Sequence, residues 1–191
     1  MKVTAFCGSP RKDGNTMDLL ETVCAVLEKE GIETEIVNLY ESDLVGCRAC
    51  DRCYVNKDNR CVFSKDKLND YVNKMMESDG IIIGSPVYFA NVTTNVKSLI
   101  DRGGRVSRAN NNLLKYKVGA GVVAVRRAGA LPALDAINYF YLANQVIIPG
   151  SSYWNLAMGK SRGEVAEDDE GIKTMNDLGR NMAFLLKKVR S

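Results

Sequence analysis

Short apolar segments alternate along the chain with stretches in which apolar residues recur every three or four positions. The apolar segments cover residues 3–7, 34–39, 80–84, 118–125 and 145–148 and predict strands. The periodic stretches predict helices over residues 16–30, 66–77, 91–102, 132–143 and 169–189. Strands that are apolar throughout are typical of parallel sheets covered by helices on both faces. The pattern therefore predicts an α/β fold with a doubly wound five-stranded parallel sheet in the order 2-1-3-4-5.

Composition narrows the classes of function. At 191 residues the chain suits a single domain over residues 1–191, with 46% hydrophobic and 26% charged residues. A formal net charge of +3 without a long basic run disfavours nucleic-acid binding. Because no apolar run approaches about 18 residues and the start leads directly into a strand, we expect no membrane association and a cytoplasmic location. The absence of histidine excludes Ser-His and Cys-His catalysis and histidine-ligated metal sites.

The loop between the first predicted strand and helix is rich in Gly and hydroxyl residues. Backbone N–H groups at the start of a helix favour an anion. The loop lacks both the Lys of a nucleoside-triphosphatase loop and the G-x-G-x-x-G pattern of dinucleotide sites. We therefore predict a single terminal phosphate bound by Ser9, Arg11, Asn15 and Thr16. The alternative is an ordinary polar turn between a strand and a helix.

Four of the six cysteines fall between the second predicted strand and the second predicted helix, in a loop over residues 46–61. Cys47, Cys50, Cys53 and Cys61 follow the pattern C-x2-C-x2-C-x7-C. Thiolates at this spacing are typical of a [4Fe–4S] cluster. Zinc is the main competitor, although its four thiolates usually come from two separated C-x2-C pairs, and a free reactive thiol is the third interpretation. We expect Cys7 and Cys24 to be packing residues.

Residues 8–11, Gly-Ser-Pro-Arg, followed by Gly14-Asn15-Thr16, resemble the phosphate loop of the flavodoxin-like NADPH-dependent FMN reductase superfamily. With the added cysteine pattern, nearly the whole chain resembles the iron–sulfur flavoprotein branch of that superfamily. The resemblance implies FMN as a cofactor, with its phosphate on the first loop. It also implies a [4Fe–4S] cluster on the four clustered cysteines.

Two further loops follow the third and fourth predicted strands and should reach the same edge of the sheet. The resemblance places the flavin ring against both loops, at Pro86, Val87, Tyr88, Phe89, Arg126, Arg127, Ala128 and Gly129. A planar ring with polar edges needs an apolar platform, and positive charge stabilises its anionic reduced form. The alternatives are an aromatic segment that closes the core and a solvated basic turn.

The resemblance implies a redox protein whose chemistry belongs to its cofactors rather than to a catalytic side chain. Its implied partners are ferredoxin or NAD(P)H as electron donor and a small two-electron acceptor such as dioxygen or peroxide. Arg48, Arg52, Lys57 and Arg60 would attract an acidic ferredoxin, or would form a solvated loop. A homodimer or homotetramer, with the cluster loop of one subunit near its neighbour's flavin, is also implied. The alternatives are a cluster-free NAD(P)H-dependent FMN or quinone reductase and a non-enzymatic redox sensor or electron store.

Overall fold

The computed structural model describes residues 1–189. Its strands are β1 (Lys2–Cys7), β2 (Glu33–Asn38), β3 (Gly80–Pro86), β4 (Val118–Val125) and β5 (Leu156–Met158). Its α-helices are α1 (Asn15–Lys29), α2 (Arg52–Asn56), α3 (Leu68–Glu77), α4 (Thr94–Ala109), α5 (Ala130–Ala143) and α6 (Asp169–Val189). Short 3-10 helices cover Leu39–Glu41 and Glu164–Glu167. Within residues 1–189, no helix has the length and apolarity that a bilayer crossing requires.

The five strands form one parallel sheet in the order β2-β1-β3-β4-β5, which confirms the predicted fold class and strand order. Apolar residues lie side by side across the central strands. Ala5 pairs with Ile82 of β3, and Ile82 pairs with Ala120 of β4. Because every strand runs in the same direction, the loops that follow β1, β3, β4 and β5 all leave from the same edge of the sheet.

Each face of the sheet carries its own apolar core. Alternate residues of a strand point to opposite faces, so Phe6 and Ile81 belong to one core and Ala5 and Ile82 to the other. Helices α3, α4 and α5 cover the first core, and α1 and α6 cover the second. The helices on both faces were predicted from their apolar periodicity, and the bounds of α6 are as expected.

The prediction of the fifth strand over residues 145–148 was wrong. In this segment only Ile147 pairs with β4, through a single parallel bridge to Val118. The regular pairing comes later, where Leu156 lies opposite Val123 and Met158 opposite Val125. Pro149 directly follows the apolar run and has no N–H for a ladder hydrogen bond, so the chain leaves the sheet edge there and returns at Leu156.

Helix α4 continues past its predicted end at residue 102. The helix runs through Gly103 and Gly104 to Ala109. A Cβ atom at Gly104 would lie 3.1 Å from the ring of Phe140 in α5. The small residue therefore allows two neighbouring helices to approach closely, and this packing offsets the low helix propensity of glycine.

Cys7 and Cys24 are buried as packing residues, as expected, with 0% and 4% of their surface exposed. Burial raises the pKa of both thiols, and that of Cys24 reaches about 11. We expect iodoacetamide to modify the exposed Cys47 and Cys50 well before Cys7 and Cys24 in chelator-treated protein near pH 8. Mass spectrometry of the tryptic peptides measures each site. Equal rates at all four cysteines would contradict the burial of the first pair.

Candidate functional site

The loop after β1 is fastened to the neighbouring strand and helix. Gly8 donates its N–H to the carbonyl oxygen of Gly84 at the end of β3, over 2.8 Å. The carbonyl oxygen of Gly8 accepts a hydrogen bond from Thr93 Oγ1, just before α4, at 2.9 Å. A Cβ atom at position 8 would lie 2.1 Å from Val96 Cγ2. Only glycine allows this approach, which holds the loop at the carboxyl edge of the sheet.

The first turn of α1 offers hydrogen-bonding groups to a ligand. The helix has no side-chain cap, and the N–H groups of Met17 and Asp18 bond to the carbonyl oxygen of Gly14. Within the described chain, the N–H groups of Asn15 and Thr16 have no protein acceptor. Asn15 Oδ1 is also buried without a partner. Because an amide oxygen accepts hydrogen bonds, the groups that suit an anion here are the free N–H groups of the turn rather than Asn15 Oδ1.

Most of the predicted flavin-binding residues line one cavity of about 160 Å³. The cavity lies between the loops that follow β1, β3 and β4. Its predicted members are Ser9, Arg11, Asn15, Thr16, Pro86, Val87, Tyr88 and Arg126. The tertiary structure thus brings the polar phosphate loop, the apolar second loop and one arginine of the third loop to a common space.

Phe89 is separated from the other predicted ring contacts. Tyr88 and Asn91 exchange backbone hydrogen bonds of 2.8 and 3.0 Å, which close a tight turn around Phe89 and Ala90. Both central residues adopt positive φ angles, 47° and 56°. This conformation costs a non-glycine residue about 1–3 kcal/mol. The Phe89 side chain at the tip is fully exposed and does not line the cavity.

The third loop divides between two cavities. Arg126 faces the phosphate loop, whereas Arg127, Ala128 and Gly129 line a neighbouring cavity of about 610 Å³. Gly129 has a φ of 86°, and a Cβ atom there would lie 2.9 Å from Ala90 Cα. The third loop therefore packs directly on the turn of the second loop.

Gly159 and Lys160 also line the cavity of about 160 Å³ between the loops after β1, β3 and β4, which we call the flavin-type cavity. Neither residue was predicted. The N–H of Gly159 bonds to the carbonyl oxygen of Val125 at 2.9 Å, and a Cβ atom at Gly159 would lie 2.7 Å from Asn15 Nδ2. Both residues directly follow β5. Because the fifth strand was predicted too early in the chain, its true carboxyl end was not recognised. A Gly-Lys pair after the short apolar segment at residues 156–158 was the available signal.

The four clustered cysteines line a second cavity, of about 340 Å³, beside α4. Cys47 and Cys50 are exposed, Cys61 is half-buried and Cys53 is buried. Burial raises the pKa of the Cys53 thiol. Over residues 1–189, no three Cys, Asp or Glu side chains are placed to hold a single metal ion. The thiols instead surround a space that is larger than one ion needs.

The backbone of the cysteine loop turns sharply. Ala49, Asp51, Lys57 and Asn59 all adopt positive φ angles between 49° and 62°. The short helix α2 lies between these turns and carries Cys53. Four left-handed residues within eleven positions indicate a segment whose path is imposed by its surroundings, a feature that concentrates at functional sites.

Arg102 of α4 anchors the cysteine loop at both ends. Its side chain is only 2% exposed. Nη1 donates to the carbonyl oxygen of Val45 at 3.1 Å, and Nη2 donates to that of Phe63 at 2.8 Å. Both nitrogens also bond to the carboxylate of Asp66, and Nη2 lies 3.5 Å from Cys61 Sγ. Val45 precedes the four cysteines and Phe63 follows them, so one guanidinium closes the loop.

Arg102 and Asp66 form a buried ion pair. Burial raises the pKa of Asp66, but hydrogen bonds from Arg102 and from backbone N–H groups lower it more, so the carboxyl pKa lies below its usual value. Burial lowers the pKa of Arg102, but interactions with Asp66 and Cys61 raise it by more. The pKa therefore lies above its usual value, and the guanidinium stays charged. Arg102 was not predicted as a site residue. Its place in the apolar stripe of α4, three positions after Leu99, was the signal that it has a buried partner.

Comparisons with known proteins identify the family of this chain. Residues 1–161 match the NADPH-dependent FMN reductase family. The chain belongs to that family. An iron–sulfur flavoprotein of Methanocaldococcus jannaschii is 35% identical over 197 residues, which cover 100% of both chains. Another, from Archaeoglobus fulgidus, is 35% identical over 98% of this chain and 92% of its own length. Within the FMN reductase superfamily, the chain therefore belongs to the iron–sulfur flavoprotein branch.

Solved structures share the fold of this FMN reductase family member. RosB with a bound riboflavin-phosphate intermediate superposes with a TM-score of 0.77 at 17% identity, over 100% of this chain and 80% of RosB. An NADH:FMN oxidoreductase in its apo form gives 0.70 at 18% identity, over 96% and 88% of the two chains. A flavodoxin from the Archaea gives 0.63 at 14% identity and covers both chains fully. At these identities the likeness shows the flavodoxin-like fold.

The close approach at Gly8 generates a stability prediction for this family member. Gly8→Ala forces a methyl group against Val96 and should lower the free energy of unfolding by about 1–3 kcal/mol. Gly150→Ala is the matched control, because no atom lies within 4 Å of a Cβ there and its φ is not positive. Urea denaturation followed by circular dichroism measures both. Equal stabilities of the two variants would contradict the tight packing of the phosphate loop.

Proposed function

We propose that this protein is an oxidoreductase that contains FMN and a [4Fe–4S] cluster. It exchanges electrons between a one-electron carrier, such as ferredoxin, and a small two-electron acceptor, such as dioxygen or peroxide. The observation that carries the proposal is the presence, in one chain, of a phosphate-type cradle and of four thiols around a single cavity. When bound, FMN accepts one or two electrons and the cluster passes one at a time, so together they connect the two kinds of carrier.

The residues of the first cavity fit FMN. Ser9, Asn15, Thr16 and the first N–H groups of α1 would hold the phosphate, with Arg11 as a charged partner. The N–H groups of Asn15 and Thr16, which have no acceptor among the described residues, support an anion at this position, because the start of a helix leaves its first donors free. The 86–88 segment would provide the apolar wall for the ring, and Arg126 would place positive charge beside it.

The residues of the second cavity fit an iron–sulfur cluster. Thiolates are the ligands that such clusters prefer, and Cys47, Cys50, Cys53 and Cys61 all border the cavity. Four arginines border it as well, at positions 48, 52, 102 and 105. Their positive charge would balance an anionic group with four thiolate ligands. A compact group at the centre of the cysteine loop would also impose the left-handed turns that its backbone adopts.

The surface around the cysteine loop suits an acidic electron carrier. Arg48, Arg52, Lys57 and Arg60 are all exposed. Over residues 1–189, none of these four side chains forms a salt bridge with a carboxylate. Unpaired cations on one surface raise the association rate of an acidic partner at low ionic strength, which supports ferredoxin as the donor.

We also propose that the chain acts as a homodimer or homotetramer. The start of α4 lies beside the phosphate loop, whereas Arg102 and Arg105 of the same helix border the cysteine cavity. A rise of 1.5 Å per residue places these arginines about 12–17 Å farther along the helix. A neighbouring subunit whose cysteine loop reaches this chain's flavin cavity would shorten the electron path. Phe89, exposed on the turn after β3, offers an apolar contact for such a neighbour.

A cluster-free NAD(P)H-dependent FMN or quinone reductase is the second candidate. It is favoured by the description of the matching family, whose name specifies NADPH. In that case Arg126 and Lys160 would lie near a negatively charged nucleotide, and the cysteines would be idle or bind zinc. Rapid NADPH oxidation by metal-free protein under anaerobic conditions would favour this candidate over the first.

Arg11 provides a test of the phosphate site. Arg11→Ala should weaken FMN binding about fivefold, because an exposed charge-assisted contact contributes about 1 kcal/mol. Riboflavin, which lacks the phosphate, should bind the variant as it binds the wild type. Lys12→Ala is the control, since Lys12 is an exposed neighbouring cation that does not line the cavity. Fluorescence titration measures both affinities, and an equal loss for FMN and riboflavin would place Arg11 away from the phosphate.

Cys50 provides a test of the cluster site. Anaerobically purified wild-type protein should contain about four iron and four sulfide per chain. Cys50→Ala should lose this iron and keep its FMN, because the thiol lies in the cysteine cavity and not in the flavin cavity. The control is Cys24→Ala, which removes a buried thiol far from both cavities and should keep its iron. Wild-type iron content in the Cys50 variant would refute the ligand assignment, and zinc in place of iron would refute the cluster.

A further inference from the structure

Cys61 is tied to a neighbouring helix through its backbone. The buried Asn69 of α3 makes two hydrogen bonds with its backbone. Asn69 Oδ1 accepts from the Cys61 N–H at 2.8 Å, and Asn69 Nδ2 donates to the Cys61 carbonyl oxygen at 3.0 Å. The position of Cys61 is therefore set by α3 through hydrogen bonds within the protein.

The Cys61 thiol also has a partner of its own. Arg102 Nη2 lies 3.5 Å from Cys61 Sγ, within hydrogen-bond range for sulfur. Across residues 1–189, no other side-chain N–H donates to any of the four clustered thiols. Among side-chain donors the contact is thus specific to the corner at Cys61, whereas the Cys53 thiol bonds to backbone N–H groups.

The orientation of Arg102 is fixed by its other contacts. Two backbone carbonyl oxygens and both carboxylate oxygens of Asp66 accept from its planar fork. The ring of Phe63 adds a face on which the guanidinium lies, 5.3 Å from the centroid. Lysine has one nitrogen and no planar fork, so it cannot satisfy these acceptors and reach the sulfur at the same time.

We propose that Arg102 is a positioning residue that raises the reduction potential of the cluster and secures Cys61 as its ligand. This inference rests on the proposed function, because it requires a cluster on the four cysteines. Reduction adds one electron, delivered by the carrier, and therefore one negative charge to the cluster and its thiolates. A hydrogen bond to a ligand sulfur favours the more negative state and is one of the terms by which proteins set such potentials, whereas the charge of Arg102 is largely balanced by Asp66.

The first test replaces the planar guanidinium of Arg102 with the ammonium group of lysine, which keeps the positive charge but loses the forked set of donors. Arg102→Lys should shift the midpoint potential of the cluster to a more negative value and increase the rate at which a chelator removes iron. Arg108→Lys is the matched control, since Arg108 is exposed on the last turn of the same helix and does not border the cysteine cavity. A dithionite titration followed by electron paramagnetic resonance gives the potential. Wild-type potential and wild-type iron release in the Arg102 variant would overturn the proposal.

A second variant guards against a folding defect. Removing only one partner of a buried ion pair leaves an unpaired charge, whereas replacing both with apolar residues is often neutral for stability. The double variant Arg102→Met with Asp66→Leu leaves no unpaired charge, although four backbone groups of Val45, Phe63 and Leu68 lose their partners, so we expect it to fold with a lower melting temperature and to bind FMN. We expect it to show a larger negative shift in potential than Arg102→Lys, or to lose the iron while it keeps FMN.

The outcomes separate this inference from the proposed function. If wild-type protein, purified anaerobically, holds no iron, the cluster itself is refuted. If wild-type protein holds the cluster and the folded double variant has the same potential and the same rate of iron release, the cluster stands and the role of Arg102 is refuted. The melting temperature and FMN content of each variant show that the comparison is made between folded proteins.

Discussion

Parallel pairing of β1, β3 and β4 is the constraint on which the flavin-type cavity depends. It brings the carboxyl ends of three strands, far apart in sequence, to one edge of the sheet. The hydrogen bond from Gly8 to Gly84 then joins the first two loops, and the absence of a side chain at Gly8 lets α4 start beside them. Apolar packing on both faces holds the strands in register and thereby holds the cavity open.

Helix α4 connects the two candidate sites. Thr93, at its start, donates a hydrogen bond to the phosphate loop, and Arg102, near its middle, closes the cysteine loop. The buried charge of Arg102 is tolerated because Asp66 and backbone carbonyl oxygens pair with it, as a desolvated cation requires. A single rigid element therefore sets the position of the cysteine loop relative to the flavin cavity within one subunit.

Local patterns were enough for much of the flavin cavity. Eight predicted residues line it together: four belong to the loop and helix start after β1, which neighbours in sequence reveal, and the other four were implied by the family resemblance. Phe89, Arg127, Ala128 and Gly129 were implied by the same resemblance but lie outside it. A tight turn carries Phe89 to the surface, and the third loop bends toward the neighbouring cavity of about 610 Å³. Lys160 was missed because the apolar run over residues 145–148 predicted the fifth strand there, while the true fifth strand is only three residues long.

The sequence by itself determined the fold class, the strand order, the phosphate-type loop and the grouping of four thiols, because each depends on short-range periodicity or spacing. Only the tertiary structure decided which side chains meet. Arg102 and Cys61 lie 41 positions apart, and their contact exists because α3 and α4 pack on the same face of the sheet. A buried charge is stable only beside partners that the fold supplies, so its role could not be read from spacing alone.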